Sequence, residues 1–132
     1  GTGNREYGGK ESMNTIFRNS QHFDRCRKIL KQMRSSDCYH TVIAYLFTLD
    51  DVCYQHFADL FDLESDAILG ENALSLSWQT DTSRKTTRLA FNLWNSFEDG
   101  IYSSVDAIFS CEYAPFFWEA IKLRFPEYTK GE

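Results

Sequence analysis

The stretch Asp81-Thr82-Ser83-Arg84-Lys85-Thr86-Thr87-Arg88-Leu89-Ala90-Phe91-Asn92-Leu93-Trp94-Asn95-Ser96-Phe97 decides the fold class of this 132-residue chain. Leu89, Ala90, Leu93, Trp94 and Phe97 recur at three- and four-residue steps, which places them on one face of an α-helix and not on one face of a strand. Asp81, Thr82 and Ser83 offer side-chain oxygens to the amides that a helix start leaves unpaired. The helix ends before Gly100.

Working outward, a second apolar helix is expected at the C-terminal end. Pro115 suits a first helical turn, where its missing amide hydrogen costs least, and Pro126 marks the end. Between them Phe116, Phe117, Trp118, Ala120, Ile121, Leu123 and Phe125, with Tyr113 just ahead, leave little polar circumference. Such a helix is either central to a core or half of an oligomer interface. The two helices together form the expected centre, with Trp94 and Trp118 largely buried. Towards the N-terminus, Phe23, Cys26, Ile29, Leu30 and Met33 make one stripe of an amphipathic helix over residues 20–33, capped by Asn19 or Ser20. Residues 39–49 are apolar nearly throughout, which periodicity alone does not divide between strand and helix; the reading favours helix.

Thr48 and Asp51 have capping-box spacing and open an expected helix through Cys53, Phe57, Leu60 and Phe61. The acidic segment 62–72 reads as a short helix closed at Gly70, and Ser104 as the cap of a brief turn through Val105, Ile108 and Phe109. Leu74, Leu76 and Trp78 alternate with polar residues, so residues 74–79 are read as one short extended segment. The expected architecture is therefore all-α: one domain of five or six helices over residues 13–132. Residues 1–12, rich in glycine and without apolar periodicity, read as a disordered leader.

Nineteen acidic residues against fourteen Lys and Arg leave a net charge of −5. A diffuse positive field for nucleic acid is thereby excluded, although a local basic patch is not. No apolar run is long enough to span a bilayer, and no secretory leader precedes Met13. A cytoplasmic location without membrane contact is expected, with the thiols of Cys26, Cys38, Cys53 and Cys111 reduced. Aromatic residues reach 16% of the composition, enough that a small domain leaves some exposed as an association surface.

Three constellations carry candidate chemistry. Arg84, Lys85 and Arg88 crowd the start of the 83–97 helix, where cations oppose the helix dipole unless something negative compensates. A phosphate or carboxylate bound there would gain from backbone amides and guanidinium forks; alternatively Asp81 or other carboxylates pair with the three as structural salt bridges. His22 with Cys26 and Cys53 with His56 have spacing that permits, without requiring, tetrahedral zinc; the plainer reading is buried thiols on apolar stripes, and no metal or cofactor is expected. Asp50, Asp51, Asp59, Asp62, Glu64 and Asp66 could imitate nucleic-acid phosphates and block a basic groove, or be an ordinary solvated face. No catalytic motif of a familiar enzyme class is present, and enzymatic activity is not the expectation.

Trp78-Gln79-Thr80, Arg88-Leu89-Ala90-Phe91-Asn92-Leu93-Trp94-Asn95, and Cys111-Glu112-Tyr113-Ala114-Pro115-Phe116 through Arg124-Phe125-Pro126 together resemble a family of short uncharacterised bacterial proteins, a domain of unknown function. The resemblance runs from about Met13 onward. It implies a setting in Gram-positive gut bacteria and their conjugative elements or prophages, and it carries no catalytic residues. The resulting expectation is a non-enzymatic accessory or interaction protein of a mobile element, binding a protein partner or itself. Two alternatives stand beside it: an anion or nucleic-acid backbone module centred on Arg84, Lys85 and Arg88, and an inhibitor of a host defence nuclease.

Overall fold

A computed structural model describes residues 15–129; the leader expected over residues 1–12 lies outside the described residues. Helix α1 spans Ser20–Gln32, and the Asn19 side chain caps it by accepting from the His22 amide at 2.8 Å. Helix α2, Cys38–Leu49, starts under Asp37, which accepts from the His40 amide. Every residue from Val42 to Leu49 is buried, so the apolar run expected as a helix is one, wrapped by protein on all sides.

The next segments depart from expectation. The cap of helix α3, Asp51–Gln55, is Asp50 and not Thr48. Thr48 is buried, and its hydroxyl donates back to the Ala44 carbonyl at 2.6 Å, while Asp50 accepts from the Cys53 amide at 3.0 Å. Helix α3 also stops short of Phe57: a 3-10 turn, Phe57–Asp59, follows, because adjacent Leu60 and Phe61 both enter the core. The helix expected over 62–72 is instead a two-residue hairpin. Strand β1, Phe61–Asp62, pairs antiparallel with β2, Ala67–Ile68, in the register Phe61↔Ile68 and Asp62↔Ala67. Asp62 favours this turn by accepting from the Glu64 amide and the Ser65 hydroxyl, a local bond that competes with helix.

Gly70 does take a positive φ of 90°, but it opens a 3-10 turn, Glu71–Ser75, and does not close a helix. Residues 74–79 form no strand; among the described residues only β1 and β2 are strands. Leu74 is buried within the 3-10 turn, and Gln79 is buried with its Nε2 donating to the Ala73 carbonyl and the Thr87 hydroxyl, so the alternation follows turn geometry, not a pleat.

Helix α4, Asp81–Asn95, is the helix read from the deciding stretch, one residue beyond its cap. Thr80 caps it in a reciprocal box: its hydroxyl accepts from the Ser83 amide at 3.0 Å, and the Ser83 hydroxyl accepts from the Thr80 amide at 2.7 Å. Helix α5, Val105–Phe109, starts on Ser104, and α6, Ala114–Arg124, carries Pro115 in its first turn and stops before Pro126. The architecture is thus six α-helices among the described residues with one minimal hairpin. Helices α1, α4 and α6 all pack on α2, so α2 occupies the centre that α4 and α6 were expected to share. Phe91 of α4 and Phe117 of α6 are fully buried against it.

Two buried histidines bind α2, and their pKa values are shifted in opposite directions. His22 bridges α1 to α2: its Nδ1 accepts from the Arg18 amide at 3.0 Å and its Nε2 donates to the Tyr45 carbonyl at 2.8 Å. Burial lowers its pKa to about 4, so the ring is neutral with the proton on Nε2. His40 sits between Asp37 Oδ1 at 2.7 Å and Asp66 Oδ1 at 2.8 Å, clasping the start of α2 to the hairpin. Burial alone lowers its pKa, but hydrogen bonds to Asp37 and Asp66, and their charges, outweigh it and raise the value.

These shifts act on opposite sides of the ordinary histidine value of 6.5. Because unfolded His22 binds a proton more readily than folded His22, its contribution is complete above pH 6.5 and lost as pH falls towards about 4, a loss on the order of 3 kcal/mol. His40 contributes fully below its unfolded value and loses that contribution as pH rises through its raised folded value. Urea denaturation followed across this range should give a stability maximum near pH 6.5, with His40→Gln flattening the alkaline limb and His22→Gln the acid one. Flanks that keep their slopes in both variants would show that other groups set them.

Candidate interaction surface

The basic start of α4 is drawn into the fold. Arg84 Nε donates to the Leu74 carbonyl at 3.0 Å. Lys85 Nζ lies 3.3 Å from Asp81 Oδ2 and donates to the Ser110 carbonyl at 3.0 Å. Arg88 Nε pairs with Asp99 Oδ2 at 3.0 Å while its guanidinium lies over the Tyr102 ring, 5.1 Å from the centroid. An anion arriving at this end of α4 would have to compete with these contacts.

The histidine and cysteine pairs lie apart in function. Cys26 is buried on α1, and burial pushes its thiol up to about 12. Burial, reinforced by the Asp50 carboxylate, also holds the Cys53 thiol well above its ordinary value; its sulfur faces the Ser83 carbonyl and the Thr87 hydroxyl. His56 stacks flat on Trp78 at 4.4 Å, and the indole Nε1 donates to Asp59 at 3.0 Å. Among the described residues no three His, Cys, Asp or Glu side chains converge to hold a metal ion. Cys38 lies beside a cation: Arg124 Nη1 is 3.7 Å from its sulfur, with the guanidinium stacked on Tyr39.

The acidic run is likewise dispersed. Asp50 is buried and accepts from the Tyr113 hydroxyl at 3.0 Å; Asp51 pairs with Arg25 at 2.7 Å; Asp59 holds Trp78; Asp62 shapes the hairpin turn; Asp66 holds His40. Several members of the run thus serve local structure, and they do not form one continuous open face of unpaired charge.

What the fold leaves outside is apolar. Ile101, Tyr102 and Val105 are 80%, 58% and 74% exposed, and Trp118 is 58% exposed. The local chain explains the first three. Gly100 adopts a positive φ of 57°, the Ser103 hydroxyl accepts from the Asp99 amide at 2.7 Å, and a 3-10 turn, Gly100–Ser103, leads into the five-residue α5. So short a helix turns one face inward: Ile108 is buried and Phe109 meets Phe117 edge-on at 5.8 Å, leaving Val105 outside. The burial expected of Trp118 is overturned: on α6 the inward positions are Phe117, Ala120 and Leu123, and Trp118 projects about 100° around the helix from Phe117. Trp94 is half-buried, edge-on to His40 at 5.0 Å and to Phe61 at 5.2 Å. Ile101 and Tyr102 carried no periodic signal, and only the aromatic surplus pointed to an exposed patch.

The chain is thus a predominantly helical protein that presents apolar side chains from the α4–α5 connection and from α6. Residues 12–132 match the model of a family of unknown function (DUF6075), and the chain belongs to that family. No curated protein and no solved structure matches it. Among the described residues no helix is long and apolar enough to cross a membrane.

The exposure of Trp118 is directly measurable. Acrylamide should quench a water-exposed component of the tryptophan emission that Trp118→Phe removes, because Trp78 is stacked on His56 and Trp94 packs against the core. An unchanged quenching curve in that variant would place Trp118 under cover.

Proposed function

We propose that the chain is a non-enzymatic accessory protein of a bacterial mobile element that acts by binding a protein partner through the surface of Ile101, Tyr102 and Val105. The observation that carries this reading is the exposure of these three large apolar side chains within five residues of chain. Contiguous apolar surface on a small domain costs solubility and marks an interaction site. Tyr102 supplies a rigid amphipathic ring of the kind enriched in interface hot spots, held from behind by Arg88.

The internal chemistry supports the same reading. His22 and His40 are committed to α2, the thiols of Cys26 and Cys53 are held protonated by burial, and Arg84, Lys85 and Arg88 are each engaged within the fold. These groups stabilise the scaffold that displays the surface. The mobile-element setting rests on the likeness of the motifs at residues 78–80, 88–95 and 111–126.

The test uses three immobilised forms in a Gram-positive host lysate: the wild type, Ile101→Asp/Val105→Asp, and Arg84→Ala, which leaves the Arg88 contact with Tyr102 in place, each checked for an intact fold by circular dichroism. A discrete protein retained by the wild type and the arginine variant, and lost from the aspartate variant, is the expected result. Retention of the same partner by the aspartate variant would overturn the surface assignment. Nucleic acid held by the wild type and lost only from the arginine variant would move the function to the start of α4.

A further inference from the structure

The charge around the exposed surface says what kind of partner it fits. Between Arg88 and Lys122 the chain contains no Lys, Arg or His, yet it carries Glu98, Asp99, Asp106, Glu112 and Glu119. Asp99 is matched by Arg88, and buried Glu119 by Lys122 at 3.5 Å. Glu98, Asp106 and Glu112 are exposed, and among the described residues none of them has a cation at ion-pair distance; Glu98 accepts only the Gly100 amide, at 3.1 Å. Lys85, the other nearby cation, is held by Asp81 and the Ser110 carbonyl. Ile101, Tyr102 and Val105 therefore stand in a segment of unmatched negative charge.

Resting on the function proposed above, we propose that this surface takes a cationic amphipathic segment of a partner protein, with apolar side chains against Ile101, Tyr102 and Val105 and Lys or Arg side chains against Glu98, Asp106 and Glu112. A second copy of this chain is the poorer occupant. A two-fold interface lays the same patch against itself and would set carboxylates opposite carboxylates. A neutral apolar segment would leave the three carboxylates unmatched at its edge. A cationic amphipathic helix satisfies both parts of the surface, laying an apolar face on apolar side chains while its flanking charges meet the rim.

The probe is a synthetic amphipathic helical peptide of Leu and Lys, titrated by calorimetry against the wild type, against Ile101→Asp/Val105→Asp, and against Glu98→Gln/Asp106→Asn/Glu112→Gln. A Leu and Glu peptide of the same pattern and a sequence-shuffled Leu and Lys peptide are the controls. The wild type should bind the patterned cationic peptide in preference to both controls. Neutralising the three carboxylates should weaken binding roughly fivefold to tenfold, and raising salt from about 50 to about 300 mM should weaken the wild type by more than it weakens that variant. The aspartate variant should lose the preference for the patterned peptide over the shuffled one, because its added carboxylates still attract Lys while the apolar contacts are gone. Binding equal in the wild type and the neutralised variant, with no difference in salt response, overturns the cationic partner while leaving the proposed function standing if the lysate partner is still lost from the aspartate variant. Equal binding to the shuffled peptide overturns it as well, because charge alone would then explain the contact. Sedimentation showing a concentration-dependent dimer abolished by Ile101→Asp/Val105→Asp would assign the surface to a second copy and overturn it too.

Discussion

Helix α2 is buried on every side from Val42 to Leu49, and the remaining architecture answers that constraint. A helix apolar around its whole circumference finds no favourable boundary with water, so it needs neighbours on all faces. Helices α1, α4 and α6 supply them, each turning its own stripe inward: Cys26 and Ile29, then Leu89, Ala90, Phe91 and Leu93, then Phe117, Ala120 and Leu123. Burial of residues 42–49 also forces a partner on the polar groups there and at the cap that follows. Thr48 turns back to the Ala44 carbonyl, the Tyr45 hydroxyl donates to the Ile16 carbonyl, and the C-cap Asp50 accepts from both the Cys53 amide and the Tyr113 hydroxyl. Among the described residues no buried side-chain nitrogen or oxygen lacks a hydrogen-bond partner. The opposite pKa shifts of His22 and His40 follow from their surroundings: burial dominates for the ring that meets a neutral carbonyl and a backbone amide, and two carboxylates outweigh it for the other.

The helices that were legible in the sequence are those whose stripe is narrower than their circumference. Helices α1 and α4 show the three-and-four spacing plainly, and α6 is bounded by its prolines. Helix α2 has no spacing to read, because a run apolar on every side shows neither the helical nor the strand period. The failures have a common cause in nonlocal contacts and short elements. Asp50 prevails over Thr48 as cap with help from Tyr113, which is 63 residues away and invisible to a local reading. The hairpin strands are two residues long, too short to display a period of two, whereas the alternating 74–78 stretch displays one without being a strand. Trp118 shows the limit of an apolar count: α6 carries more large side chains than its inward face holds, and composition does not say which one is displaced outward.

The candidate site was legible as chemistry and illegible as geometry. The cations at the start of α4 stand out because they oppose the helix dipole, and Asp81 is a local answer to Lys85. The Leu74 carbonyl and Asp99, which engage Arg84 and Arg88, come from segments that no helical spacing ties to α4. An aromatic surplus implied some exposed apolar surface, but Ile101 and Val105 are aliphatic and belong to no helical or alternating apolar pattern. Their exposure results from a 3-10 turn and a five-residue helix that are too short to show a readable stripe in the sequence.

An apolar patch that must stay soluble until it meets its partner needs a reason not to meet itself first. The exposed carboxylates of Glu98, Asp106 and Glu112, in the same segment of chain as Ile101, Tyr102 and Val105, supply one on the proposed reading. They cost little when solvated, they oppose any pairing of two identical patches, and they become favourable contacts only against a cationic face. Arg88 reconciles the two demands within this chain. Its guanidinium cancels Asp99 and braces the Tyr102 ring, so it stabilises the displayed loop while contributing no unmatched positive charge to the surface. On the proposed reading the electrostatic character of the patch is set by Glu98, Asp106 and Glu112, while Lys85 and Arg88 tie α4 to the Ser110 carbonyl and to Asp99.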